Sequence, residues 1–238
     1  MLWQEAQTDC MTPLKNNRHV MKKSSVFILI VLVSVLSVAC HKNSTGPSAG
    51  YGPNSLFPLT AGDTWYYTDS AFSDSGLIVA YTDTMVATKN AYTDPGTGTI
   101  FLGVNNPNGW FRGSYIAVDP SNSAVYEVDS PAYSPYTFFQ TVGQDGAIGS
   151  GGDYTNPACP ITSVQYGYAN PLSVYGYQCY KNAEVITDCH QTVLEEVVSY
   201  LSPGVGVVRI EDYLTDTTGG VNKFYEDYSQ TLTGTTLH

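Results

Sequence analysis

Charge is scarce in this sequence: only 13% of its 238 residues are Asp, Glu, Lys or Arg. Basic residues are the scarcer, 10 against 21 acidic ones, for a formal net charge of −11. Nucleic-acid binding needs clustered Lys and Arg to neutralise phosphates, so that class is excluded. Long apolar runs are missing too. The longest, Val26 to Ala39, has 14 residues, short of the about 20 that an ordinary membrane helix needs. A tilted anchor helix is the alternative reading of that run. The Ala/Glu/Lys/Leu mixture of helical proteins is also lacking, and methionine is rare at 4 residues, which excludes an all-helical chain. What is abundant points elsewhere: 19 Tyr, 22 Gly and 13 Pro are β-favouring aromatics and turn formers. An apolar fraction of 42% can supply a core, so global disorder is excluded as well.

The N-terminal region reads as an address. Residues 1–20 are polar and patternless, and a second methionine follows at Met21. From there Lys22-Lys23-Ser24-Ser25 forms a basic start, Val26 to Ala39 an apolar segment, and Ala39-Cys40 a small residue before a cysteine. These are the parts of a secretory signal. Met21 is the expected start, with residues 1–20 a non-native upstream extension, because a signal opens with its charges. Leu36-Ser37-Val38-Ala39-Cys40 resembles the lipobox of bacterial lipoproteins, with Ser37 where leucine is usual. The resemblance implies a signal peptide over 21–39, cleavage before Cys40 and acylation of Cys40 (palmitate among the chains). Several acyl chains on one residue hold a protein stably on a bilayer. Residues 40–52 are Gly/Ser/Pro/Asn-rich and read as a flexible tether. The match of Gly46-Pro47-Ser48-Ala49-Gly50 to G-x-S-x-G lacks the strand and helix that a nucleophile elbow needs. The part from Cys40 onward holds six basic and nineteen acidic residues, a charge of −13. Such a domain is repelled by anionic head groups, so the anchor rather than the surface would hold it.

Residues 53–238 are expected to form one all-β domain, mostly antiparallel: a curved sheet, half-barrel or sandwich with at most one or two short helices. Thr64–Thr68 and Leu77–Val86 read as an antiparallel pair, with Trp65 and Tyr67 on one face. Further strands are expected at Thr99–Val104, Phe111–Val118, Ala124–Val128, Val174–Thr187, Val205–Leu214 and Lys223–Leu232. Asp119-Pro120-Ser121-Asn122 has turn chemistry between two of them. The segment around Thr192–Tyr200 fits helix or strand, and its three valines and Tyr200 favour strand. Residues 129–172 read as irregular, with Gln144–Asp153 a glycine-rich loop.

Chemistry is thin. Asp188-Cys189-His190 invites a catalytic or metal reading, but neighbours along a strand point to opposite faces and no second ligand pair accompanies them. A turn histidine is expected. Of the cysteines after the signal, Cys159, Cys179 and Cys189, an exported domain would oxidise a suitable pair. If 179–189 is one extended strand, its ends are too far apart to bridge, and Cys159 takes one of them. If the chain turns inside that stretch, Cys179–Cys189 becomes possible, so the pairing stays open. Glu195-Glu196, Glu211-Asp212 and Glu226-Asp227 are adjacent carboxylates that diverge on strands, unlike the facing pair of a glycosidase. Asp69 to Gly76 offers oxygens to Ca²⁺ without an EF-hand pattern, and plain turn use is expected there. No cofactor or metal is expected.

Two stretches carry a family resemblance. Phe57-Pro58-Leu59-Thr60-Ala61-Gly62-Asp63-Thr64-Trp65-Tyr66-Tyr67 resembles the F-P-L-x-x-G-x-x-W-x-Y opening of a recurrent type of bacterial lipoprotein. Tyr200-Leu201-Ser202-Pro203-Gly204-Val205-Gly206-Val207-Val208 is similar to their P-G-V-G-x-V strand-turn-strand element, and Tyr180 to Val185 to the strand before it. The resemblance implies an exported, mostly antiparallel β domain akin to curved half-barrels that carry lipids or lipoproteins, and transfers no catalytic residue. The resulting expectation is a lipid-anchored envelope protein at the outer membrane, non-enzymatic, with Trp65, Tyr67 and Tyr81 facing an apolar or lipid-like ligand. A structural or protein-interaction lipoprotein is the alternative, with a carboxylate-based hydrolase third. Expected partners are the membrane, through Cys40, and an apolar ligand or an envelope protein.

Overall fold

The computed structural model describes residues 55–73, 75–106, 108–111, 114–119, 121, 123–153, 158–216 and 222–238. They form twelve strands and, among the described residues, no helix. The strands are β1 (Thr64–Ser73), β2 (Gly76–Thr93), β3 (Ile100–Asn105), β4 (Tyr115–Val118), β5 (Ala124–Val128), β6 (Tyr136–Gln140), β7 (Gly146–Asp153), β8 (Ile161–Val174), β9 (Tyr177–Thr187), β10 (Val193–Ser202), β11 (Gly206–Asp216) and β12 (Lys223–Thr236). All lie in one antiparallel sheet ordered β6-β5-β4-β3-β2-β1-β12-β11-β10-β9-β8-β7. The chain starts in mid-sheet, builds out to β6, crosses to the other edge at β7, and returns strand by strand until β12 pairs with β1.

That order forces curvature. β6 and β7 are opposite edges of the sheet, yet only residues 141–145 join them. So short a link spans at most about 20 Å, whereas twelve flat strands about 4.8 Å apart would separate the edges by roughly 50 Å. The sheet therefore curls into a barrel-like shape and closes at a seam. The seam is bonded by side-chain amides rather than by a ladder. Gln165 Nε2 on β8 donates to the Thr137 and Phe138 carbonyls of β6 at 3.2 and 3.0 Å. On β9, Asn182 donates to the Gln140 carbonyl at 2.9 Å and accepts from the Gln140 N–H at 2.8 Å.

Alternation along the strands decides what is inside. On β1 the residues Trp65, Tyr67 and Asp69 point inward and are fully buried, while Tyr66 between them is 44% exposed. Trp65 and Tyr67 meet Phe57, Met85, Phe111, Ile116, Phe139, Leu201 and Ile210 in the main core. On the opposite face of β3–β5, Phe101, Ala117 and Val128 form a small second cluster covered by Tyr92, Tyr115 and Tyr126. Many of the tyrosines thus serve as amphipathic covers, ring on apolar surface and hydroxyl toward water.

The two family-like stretches, far apart in sequence, prove to be one structural unit. Trp65 Nε1 donates to the Val205 carbonyl at 2.6 Å, Tyr67 Oη to the Val207 carbonyl at 3.1 Å, and the Gly204 N–H to the Ser55 carbonyl at 2.9 Å. Gly206 has φ of +98°, and a Cβ there would lie 3.2 Å from Trp65 Nε1 and 3.4 Å from the Phe57 ring. Only glycine gives both the left-handed backbone and the close approach. The P-G-V-G turn is shaped to receive the tryptophan.

The expected all-β class and the pairing of the first two strands are found, with Trp65 opposite Met85. The ambiguous segment near Thr192 is strand β10. Residues 129–172 require correction: they contain β6, β7 and most of β8, and the glycine-rich stretch is largely strand β7. β7 is an edge strand held by the β8 ladder, with β8 supplying the Ile, Val, Thr and Tyr that its partner lacks. Phe111–Val118 is strand only from Tyr115, because Phe111 belongs to a loop that plugs the core. Asp69 to Gly76 is not a turn either, since β1 runs through Ser73.

Candidate functional site

Cys40 and the whole signal and tether lie outside the described residues. The expected ligand-facing trio does share one side of the sheet, but does not act together. Trp65 and Tyr67 are fully buried in packed core with their polar atoms bonded to backbone carbonyls. Tyr81 is 36% exposed and reaches the Asn108 carbonyl at 3.4 Å. The assignment of Trp65 and Tyr67 as ligand-facing is therefore corrected. Alternation identified their shared face, and the P-G-V-G turn together with Phe57 fills the space before it.

The cysteines resolve cleanly. Residues 177–187 are one strand, which holds Cys179 away from Cys189, and Cys159 bridges to Cys189 with 4.9 Å between their Cα atoms. Cys179 is fully buried, and burial pushes its thiol up to about 11, so it is inert. His190 sits in the turn between β9 and β10, where Asp188 accepts the N–H groups of His190 and Thr192, each at 2.8 Å. The side-chain donor atoms of Cys159, Cys189 and His190 lie within 4.8 Å of one another. The disulfide uses both sulfurs, leaving no thiolate for a soft metal there.

Carboxylates are brought together in a way no adjacency in sequence suggests. Each neighbouring pair is split across the two faces, as alternation demands. Across the ladders, Glu195, Asp212 and Asp227 then come close enough to perturb one another. Burial, then Glu195 and Asp227, push the Asp212 carboxyl up to about 6. Glu195 is raised by burial and by Glu184 and Asp227. The outward members instead meet a cation: Arg209 lies 2.6 Å from Glu211 and 3.3 Å from Glu226, and Tyr200 Oη donates to Glu211 at 3.2 Å. Elsewhere on the inner face Glu127 is nearly fully buried, and that burial pushes it up to about 7. Asp69 is pushed up to about 6 by burial first and by Asp83, against the hydrogen bonds of Gln230 and Tyr228, which favour its charge.

Two cavities lie at the seam. One of about 390 Å³ is lined by Trp110, Tyr136, Phe138, Gln165, Asn182 and Glu184. A second, also about 390 Å³, shares Tyr136, Gln165 and Glu184 and opens against Gly149–Gly152 of β7. They flank the gap where the backbone ladder between β6 and β8 is missing. Each holds a single carboxylate, Glu184, so neither offers the facing acid pair of a glycosidase. Gln165 and Asn182 are already committed to β6 backbone groups.

Comparison with known proteins adds little. No family model matches the chain, and no curated protein does. Among solved structures, a protein of Parabacteroides distasonis ATCC 8503, provisionally named a lipoprotein, aligns over 77% of this chain and 99% of its own. Identity is 13% and the TM-score 0.37, so the likeness carries no argument about function.

Proposed function

We propose that this chain is a lipid-anchored protein of the bacterial cell envelope, acylated at Cys40 and held at the outer membrane. Its β-barrel acts there by contact with other envelope molecules rather than by catalysis or lipid carriage. The observation that carries the reading is the state of the barrel interior. A carrier of apolar ligands needs an empty apolar chamber, but Trp65 and Tyr67 occupy the inner face of β1 in a packed core. The Cys159–Cys189 bridge suits an exported domain, since disulfides persist in oxidising compartments. Apolar surface is instead turned outward: Leu77, Ile78 and Val79 at the start of β2 are 60%, 67% and 47% exposed. Consecutive residues exposed on both faces mark a hairpin that projects beyond the barrel.

Two measurements test this. Metabolic labelling with palmitate should mark the wild type and not Cys40→Ala, and the variant should leave the membrane fraction. Native mass spectrometry of the protein extracted from its own membrane should then give a clean mass or a protein partner. Reproducible copurified lipid would overturn the contact reading in favour of carriage. An unlabelled wild-type chain would overturn the anchor.

A further inference from the structure

The Cys159–Cys189 bridge and His190 form one cluster that neither the packed interior nor the projecting hairpin uses. Cys159 lies two residues before β8, and Cys189 and His190 lie in the turn between β9 and β10. The two sulfurs and a ring nitrogen of His190 all lie within 4.8 Å of one another. Cys189 and His190 are exposed, and Cys159 is half-buried. A cleft of about 500 Å³, lined by Pro160, Thr162, Tyr166, Thr187, Cys189 and Gln191, opens beside the bridge. A small dithiol can therefore reach the Cys189 sulfur, and exposed disulfides are the ones that exchange.

The fold holds this cluster without help from its covalent bond. The β8–β9 ladder runs up to Thr162 opposite Thr187, whose hydroxyls lie 2.9 Å apart. Continuing that register outward sets Cys159 beside Cys189 and His190. The turn is fixed separately. Asp188 accepts the N–H groups of His190 and Thr192, its own N–H donates to the Thr192 carbonyl at 3.1 Å, and the Gln191 N–H donates to the Asp188 carbonyl at 3.0 Å. None of these bonds passes through the sulfurs. Opening the disulfide therefore leaves two thiols and an imidazole standing together. A tetrahedral ion with bonds of about 2.0–2.3 Å spaces its ligand atoms roughly 3.5–3.8 Å apart, which small side-chain rotations supply here.

We propose that this corner is a redox-gated metal site: once the bridge is reduced, Cys159, Cys189 and His190 bind a zinc-class ion. A dithiol reductant supplies two electrons and two protons, the S–S bond breaks, and the dithiol leaves as its own disulfide. The ion then displaces both thiol protons and takes two thiolates and the imidazole, with its fourth position left to water. Two thiolates balance the 2+ charge, and their softness selects zinc over calcium or magnesium. A disulfide oxidant reverses the sequence, re-forming the bridge and expelling the ion. The bridged and the metal-bound forms are thus alternative states of one site.

The test uses the full chain in detergent, freed of metal with a chelator, and cobalt(II) as the coloured stand-in for zinc. Before reduction no thiolate-to-cobalt absorption band is expected. After reduction with a phosphine, which unlike a dithiol competes little for the metal, the band should appear, saturate at one ion per chain and vanish when zinc is added. Excess calcium should leave it in place. Cys189→Ser should abolish the band, which separates this site from the chain's other cysteines, Cys10, Cys40 and Cys179. His190→Ala should weaken cobalt binding about tenfold or more. Circular dichroism of the reduced, metal-free chain should keep its β signal. The proposal is overturned if the reduced wild type gives no thiolate band or loses its β signal. It is equally overturned if Cys189→Ser keeps the band, or if His190→Ala binds cobalt as tightly as the wild type.

Discussion

Three alternate residues of β1 point into the same interior and meet opposite fates. Trp65 and Tyr67 are finished: their rings fill the core and their polar atoms bond to the Val205 and Val207 carbonyls. Asp69, one strand repeat further on and equally buried, is an acid whose carboxyl burial pushes up to about 6. The difference lies in what faces each residue. The first two meet a turn that offers carbonyls to their donors. Asp69 meets the Gln230 amide and the Tyr228 hydroxyl, which favour its carboxylate, but also Asp83, and burial outweighs the two donors. Equal burial therefore has unequal consequences: it completes two neutral side chains and costs an ionisable one.

That contrast can be attacked from its stronger side first. Trp65→Ala should destabilise the chain by about 3–5 kcal/mol in urea unfolding, because a large fully buried ring is removed and Val205 loses its donor. A loss below about 1 kcal/mol would mean the core end is not closed. Next in size is Glu127→Gln, which asks whether a second buried acid on the inner face behaves as a cost. Its carboxyl sits at about 7 in the fold against an ordinary 4.5, so the neutral form is the one the fold prefers. Below about pH 4.5 wild type and variant should match. As pH rises through 7 the wild type loses stability, and the variant should gain roughly 1–3 kcal/mol by pH 8. A pH-independent difference would show that Glu127 is answered by groups other than its neighbours Ser114 and Tyr136. Tyr67→Phe should cost the least, about 1 kcal/mol, since the ring stays and only the bond to Val207 is lost. A stabilising result there would undo the claim that this hydroxyl is satisfied.

Much of the architecture was legible from local pattern. Alternation with aromatic and β-branched residues marked β1, β2, β5, β11 and β12, and put Trp65 and Tyr67 on one face. The turn at Asp119 was readable because its carboxylate has a local task, accepting the Ser123 and Ala124 N–H groups at 2.6 and 2.8 Å. β7 was not legible: a strand of Gly, Ala, Ser and Ile with one Asp is specified by its partner, not by its own propensity. The buried polar group around Asp69 was hidden for a different reason. Its members come from β1, β2, β12 and the loop at Asn106, and only the register of three strands brings them together. The two family-like stretches were visible as motifs, but nothing in either says that the tryptophan of one docks on the glycine turn of the other.

The most direct test of the contrast within β1 is the stability of Asp69→Asn relative to wild type between about pH 4 and pH 8. Burial holds the Asp69 carboxyl at about 6 in the fold against an ordinary 3.8, so the unfolded chain ionises first and the wild type loses stability as pH rises from about 4 to about 6. The variant should show no such loss and should be the more stable at about pH 7.5. If the margin between the two is the same at about pH 4 and about pH 7.5, the fold holds the Asp69 charge as well as water does, and the distinction drawn along β1 fails.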